Sequence, residues 1–204
     1  MAQPQKGMTN INNKKVVNGV TYNSAIVIPS TVTTIGVNSF RMNSLDHIEI
    51  LGSSLTTIGA YAFQNDNFKE IILLQSVVTI HNNAFANCEQ LKSINLENVQ
   101  VIGSEAFYYC SALRQVKFVD LKTLGSASFR RSGLQIITFE TTELAKIEAG
   151  AFKECYYLTT VDFVEGKNAG LLIIEEEAFI NRDNMREIII PKSVEEIKEK
   201  AEEV

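Results

Sequence analysis

The sequence predicts a right-handed repeat solenoid, mainly β, with a parallel sheet on its concave face and short strands or turns on its convex face. Three observations predict it. A small residue followed by phenylalanine recurs at Phe40, Phe63, Phe85, Phe107, Phe129, Phe152 and Phe179, with successive gaps of 23, 22, 22, 22, 23 and 27 residues. Five residues before each ring stands Ile35, Ile58, Ile80, Ile102, Leu124, Ile147 or Ile174. After each ring comes an L-x-x-I-x-I segment, whose last two apolar residues are two apart, the period that sends alternate side chains to opposite faces of a strand.

The chain opens with a polar arm, residues 1–24. Within it, Val16-Val17-Asn18-Gly19-Val20-Thr21-Tyr22 sets Asn-Gly between apolar residues, a hairpin signature that fits a cap over the open end of a coil. The solenoid, residues 25–204, holds about eight units, the last one truncated or capping. Units open on Leu45, Phe68, Leu91, Leu113, Leu134, Leu158 or Met185. Three residues on stands Ile48, Ile71, Ile94, Val116, Ile137, Val161 or Ile188, and two further on Ile50, Leu73, Leu96, Phe118, Phe139, Phe163 or Ile190. A second extended piece follows, as in Leu55-Thr56-Thr57-Ile58. Gly36, Gly59, Gly103 or Gly125 then marks a turn, where glycine is expected to supply a backbone conformation that other residues dislike. An insertion at residues 166–170 maps to a loop. In the Glu- and Lys-rich tail from Val194, Ile197 keeps the register while Lys198 replaces the glycine and Glu202 the phenylalanine, so a short capping helix or a frayed end is expected.

One such unit cannot close a core, because its inward residues would face water on both open sides of the coil; stacked neighbours bury them. Burying each ring contributes about 1.5–3 kcal/mol. The rings and aliphatic columns are therefore read as core, and they specify a fold without specifying an activity.

The 204 residues carry 24 acidic against 19 basic groups, a formal charge of -5, which argues against wrapping nucleic acid or lying on an anionic membrane. No apolar stretch is long enough to insert in a membrane, and Met1 to Lys15 lacks the apolar segment of a secretory signal. Cys88, Cys110 and Cys155, odd in number and without a Cys-x-x-Cys pair, read as free thiols. His47 and His81 occupy different parts of their units, and no phosphate or calcium loop is present, so no catalytic, cofactor or metal site is expected and the chain is not read as an enzyme. Glu175-Glu176-Glu177 is a solvated edge.

With its glycine and phenylalanine the unit resembles the BspA-type, or treponemal, leucine-rich repeat, from about Ala25 onward. Best preserved are Ile28-Pro29-Ser30-Thr31-Val32-Thr33-Thr34-Ile35-Gly36, Ile102-Gly103-Ser104-Glu105-Ala106-Phe107-Tyr108-Tyr109-Cys110 and Ile190-Pro191-Lys192-Ser193-Val194. The family's Pro gives way to Leu51, Leu74, Glu97, Val119, Glu140 and Val164. Its Cys position holds Cys88, Cys110 and Cys155 but Asn43, Asp66, Ser132 and Arg182 elsewhere, which favours local hydrogen bonding or packing over chemistry. The resemblance implies a cell-surface or secreted protein that adheres to host matrix or cell-surface proteins; a true start at Met1 would point to the cytoplasm.

On this reading the residues between the inward pair form an outward concave column, Val27, Glu49, Ile72, Asn95, Lys117, Thr138, Asp162 and Ile189. Leu51, Leu74 and Val119 lie beside it. Glu49, Leu51, Ile72, Leu74, Asn95, Lys117, Val119, Thr138 and Asp162 are the expected partner-binding set, apolar in patches with an acidic rim suited to a basic protein partner. Lys69, Lys92 and Arg114, with Arg186 further along, form a competing anion-binding edge that would suit a sulfated glycan. The expected function is protein recognition or adhesion by a monomer. The alternatives are a spacer that displays another domain and, last, a carbohydrate-active enzyme.

Overall fold

The computed structural model of the chain describes residues 9–11, 15–17, 20–180, 184–185 and 187–201. It is a parallel-strand β-solenoid of about eight turns, without helix among the described residues. No helix there is long and apolar enough to cross a membrane.

Near the start lie β1 (Thr9–Ile11), β2 (Lys15–Val17) and β3 (Val20–Tyr22). Each coil but the last then contributes one strand to each of two faces; the last contributes a short strand alone among the described residues. The L-x-x-I-x-I segments supply β4 (Ala25–Ile28), β6 (His47–Ile50), β8 (Glu70–Ile71), β10 (Ser93–Ile94), β12 (Gln115–Phe118), β14 (Ile136–Phe139) and β16 (Thr160–Phe163), here called the long-strand face. The residues just before the glycine position supply two-residue strands: β5 (Thr34–Ile35), β7 (Thr57–Ile58), β9 (Thr79–Ile80), β11 (Val101–Ile102), β13 (Thr123–Leu124), β15 (Lys146–Ile147), β17 (Ile173–Ile174) and β18 (Glu196–Ile197).

Equivalent residues pair with equivalent residues: Ile26 faces Ile48, Ile58 faces Ile80, and Phe139 faces Phe163. A strict register follows, because slipping one residue would turn every inward side chain to water. Neither face is one unbroken sheet. The long-strand face divides into β1-β4-β6, β8-β10 and β12-β14-β16; the short-strand face divides into β5-β7-β9-β11-β13 and β15-β17-β18.

The seven repeat phenylalanines form one column of stacked rings. From Phe40 to Phe179 the centroid distances are 5.5, 5.4, 5.2, 4.8, 5.6 and 5.4 Å, all with nearly parallel planes. Six of the seven are completely buried. A second row of rings, Phe118, Phe139 and Phe163, runs beside them at 5.2 and 5.0 Å, the first pair tilted and the second stacked. Favourable ring pairs add about 0.5–1.5 kcal/mol beyond area burial.

The turn glycines do a different job from the one expected. Gly59, Gly103 and Gly125 are needed for close approach: a Cβ on Gly59 would lie 2.7 Å from the backbone of Gly36, one on Gly103 2.5 Å from the Asn82 nitrogen, and one on Gly125 2.4 Å from the Ser104 nitrogen. Most of the left-handed residues come two before or two after a repeat phenylalanine, and most are not glycine. Asn38, Tyr61, Asn83, Glu105, Ala127 and Glu177 fill the first column, and Met42, Asn65, Asn87, Tyr109, Arg131 and Glu154 the second. Coil-to-coil hydrogen bonds hold them there, such as Tyr109 N–H to Arg130 O at 2.9 Å.

At the N-terminal side β2 pairs antiparallel with β3, and β1 adds antiparallel to β4. Asn18 and Gly19, where a hairpin turn is expected from sequence, lie outside the described residues, as do Arg182, Arg186 and Glu202. The expected C-terminal helix is not found: β18 pairs parallel with β17, and the described tail to Ala201 follows the repeat. Local helix propensity loses to tertiary register, since Ala201 is buried and its carbonyl accepts from Phe179 N–H at 2.9 Å.

Candidate functional site

The long-strand face is built by alternation. Inward residues such as Ile26, Ile71, Val116 and Ile137 are buried, which turns their neighbours outward. Lys117, Thr138 and Asp162 lie side by side in register across β12, β14 and β16. Lys117 Nζ also meets Glu140 Oε1 at 3.0 Å. Glu49 lies opposite Val27. Ile72 and Ile189 are 74% and 76% exposed, and Leu51 43%, while Leu74 and Val119 are half-buried.

Asn95 departs from the expected arrangement. Its Oδ1 accepts from Leu73 N–H at 2.7 Å and its Nδ2 donates to Leu73 O at 2.8 Å. The side chain acts as a short piece of strand, because two unmet backbone groups outcompete solvent for the amide. Past it the ladder stops, and a hollow of about 260 Å³ lies between β10 and β12, lined by Glu97, Gln115 and Lys117.

The cationic edge is also only partly assembled. Lys92 stacks on Lys69, its N–H donating to Lys69 O at 2.7 Å. Arg114 is diverted: Nη1 donates to Ser111 O at 2.7 Å and Gly133 O at 3.1 Å, and its guanidinium lies 5.9 Å from the Tyr157 ring centre. Carbonyls within reach of a rigid fork of donors take it before a solution anion does.

His47 and His81 fall on opposite faces, at β6 and just after β9. Among the described residues no group of three or more His, Cys, Asp or Glu side chains could hold a metal ion. Two of the three glutamates at 175–177 are ion-paired, Glu175 with Lys146 and Glu177 with Lys153.

The cysteine column is a hydrogen-bonding device. Cys88, Cys110 and Cys155 donate from Sγ to the carbonyls of Phe63, Phe85 and Phe129, the ring residues of the preceding coil, at 3.1, 3.2 and 3.2 Å. Burial pushes all three thiols up, Cys155 to about 12, so they stay protonated and unreactive. Asp66 fills the same position with a carboxyl group. It is fully buried; Oδ1 accepts from Leu45 N–H at 3.1 Å and Oδ2 has no hydrogen-bond partner. Burial raises its pKa from 3.8 to about 7, against the lowering effect of the Leu45, Asn43 and Ser44 N–H groups. Glu154 is the opposite case. Burial works to raise it, but hydrogen bonds and charge from Arg131 and Arg130 hold it below the ordinary value.

One concavity was missed in the sequence. A groove of about 840 Å³ lies between β16 and residues 187–193, with residues of the insertion in its lining. The insertion is tied in by Asn168, whose Nδ2 donates to Phe139 O and Val164 O at 3.1 and 2.9 Å and whose carbonyl accepts from Ser193 Oγ at 2.8 Å. The 27-residue gap before Phe179 was the signal available.

Comparison with known proteins agrees with this periodicity. A family model described as BspA type leucine rich repeat region matches residues 9–120 and 97–202, in six copies. No curated protein matches the sequence. Among solved structures, a leucine rich cell surface protein from Faecalibacterium prausnitzii is 23% identical, with a TM-score of 0.49, over 83% of this chain and 54% of that one. The pneumococcal vaccine antigen PcpA is 22% identical, with a TM-score of 0.45, over 87% of this chain and 59% of that one. A leucine-rich repeat protein from Bacteroides ovatus is 20% identical, with a TM-score of 0.40, over 85% and 74%. This chain thus spans little more than half the length of the first two. The family match runs through nearly all the described coils, and the chain belongs to the BspA-type leucine-rich repeat family.

Proposed function

We propose that this chain is a non-catalytic recognition module that binds a protein partner on its long-strand face, in a cell-surface or secreted setting. The observation that carries the reading is the contrast between the two sides of the same strands. Inward positions repeat the same buried aliphatic and aromatic residues, whereas the outward row changes chemistry at each coil, from Ile72 to Lys117, Thr138 and Asp162. A rigid frame that presents varied side chains at strand spacing suits recognition of an extended macromolecular surface. Exposed Ile72 and Ile189 supply apolar anchors, and Glu70, Glu97, Glu140 and Glu187 give the surroundings an acidic character that favours a basic partner.

Capture from matrix and cell-surface extracts tests it, using wild type and a triple variant Ile72→Glu, Lys117→Glu and Asp162→Lys. A saturable partner lost by the variant, at unchanged melting temperature, is the expected result. Partner binding that survives would discard the face; no saturable partner at all would favour the spacer.

A further inference from the structure

Resting on that reading, we infer that the edge of β16 takes up an extended polypeptide segment with alternating basic and apolar side chains as an added strand. β16 is fully paired on one side only. Thr160 N–H and Val164 N–H donate to Gln135 O and Phe139 O at 3.1 and 3.0 Å, so these alternate residues serve the β14 side. In a parallel ladder the intervening residues, Val161 and Phe163, turn their N–H and C=O groups to the other side. The next coil supplies residues 187–190 there, but among the described residues no backbone hydrogen bond joins them to β16, and the groove of about 840 Å³ opens instead. At the other end of the face the edge strand β4 is covered by β1. Unpaired edge groups are a template for another strand, which contributes main-chain hydrogen bonds while its alternate side chains give selectivity.

The lining sets the chemistry of the occupant. Asp162, Glu165 and Glu187 place three carboxylates around the groove against one ammonium, Lys192, and Ile189 offers an apolar surface that is 76% exposed. A strand whose outward side chains are lysine or arginine meets Asp162 and Glu187 and lays their alkyl stems over Ile189, while aliphatic side chains on its other face turn inward toward Val161, Phe163 and Ile190.

Fluorescence anisotropy with a labelled, capped hexapeptide alternating valine and lysine tests this on the full chain. The expected result is saturable binding, at least tenfold tighter than for the peptide with glutamate in place of lysine. It is lost when alternate backbone nitrogens of the peptide are methylated, and weakened at least tenfold by Asp162→Lys with Glu187→Lys at unchanged melting temperature. Equal binding of the methylated peptide, or of the charge-reversed protein, overturns strand addition. Self-association in sedimentation that the same double variant abolishes would give the groove to a second copy. That result also overturns the inference. If no peptide binds while the triple variant still loses its captured partner, strand addition falls and the recognition face stands.

Discussion

Replacing Asp66 with asparagine should make the solenoid more stable at neutral and alkaline pH and leave it nearly unchanged in acid. The carboxyl group is sealed in the position where three other coils hold a neutral thiol, and burial raises its pKa from 3.8 to about 7. Between those values the folded chain keeps a proton that the unfolded chain gives up. The favourable contribution is therefore complete below about pH 4 and is lost as pH rises through the folded value near 7. Three pKa units correspond to about 4 kcal/mol, or about 10 °C in melting temperature for a chain of this size. Asparagine keeps an acceptor for Leu45 N–H and cannot ionise. Thermal unfolding of both proteins from pH 4 to pH 8 should show the gap between them opening toward alkaline pH. Parallel curves, or an Asp66 carboxyl carbon titrating near 4 by NMR, would refute the burial argument. Asp66→Cys should behave like asparagine, because a thiol there can donate to Phe40 O as Cys88 does to Phe63 O.

Four further outcomes are expected. Phe107→Ala, in the middle of the ring column, should cost about 3–5 kcal/mol in chemical denaturation. Gly103→Ala should destabilise by about 1–3 kcal/mol although its φ lies outside the left-handed region, because the added methyl meets the Asn82 backbone. Gly150→Asn should be neutral or stabilising by up to about 1 kcal/mol, since its φ of 61° is shared by Asn38 and Asn83 in other coils and the nearest atom to its Cβ is 3.6 Å away. Arg114→Ala should lower thermal stability through its lost carbonyl contacts while leaving heparin retention unchanged, whereas Lys69→Ala with Lys92→Ala should lower any such retention without a stability change.

The coil, its strands and its buried columns were legible because each is written seven or eight times, and repetition averages out local ambiguity. Phe40 and Phe179 announce each other across the chain. What escaped the sequence depends on contacts between coils, which spacing alone does not encode. Gly103 reads as a turn glycine until the next backbone is seen against it. Arg114 reads as a stacked charge until Ser111 and Gly133 offer it carbonyls. Asn95 reads as a surface amide until Leu73 lacks a strand partner. The groove beside β16 arises where the repeat is interrupted, so periodic reasoning loses its footing at that place.

The interruptions of the two faces never coincide. Where β6 and β8 part, β7 and β9 are joined; where β10 and β12 part, β11 and β13 are joined; where β13 and β15 part, β12 and β14 are joined. Even beside the groove, β17 holds β18. Like courses of masonry with offset joints, each seam is backed by a continuous band, and the aromatic spine threads through them all. A load that spreads one wall can flex the array at that seam without splitting it.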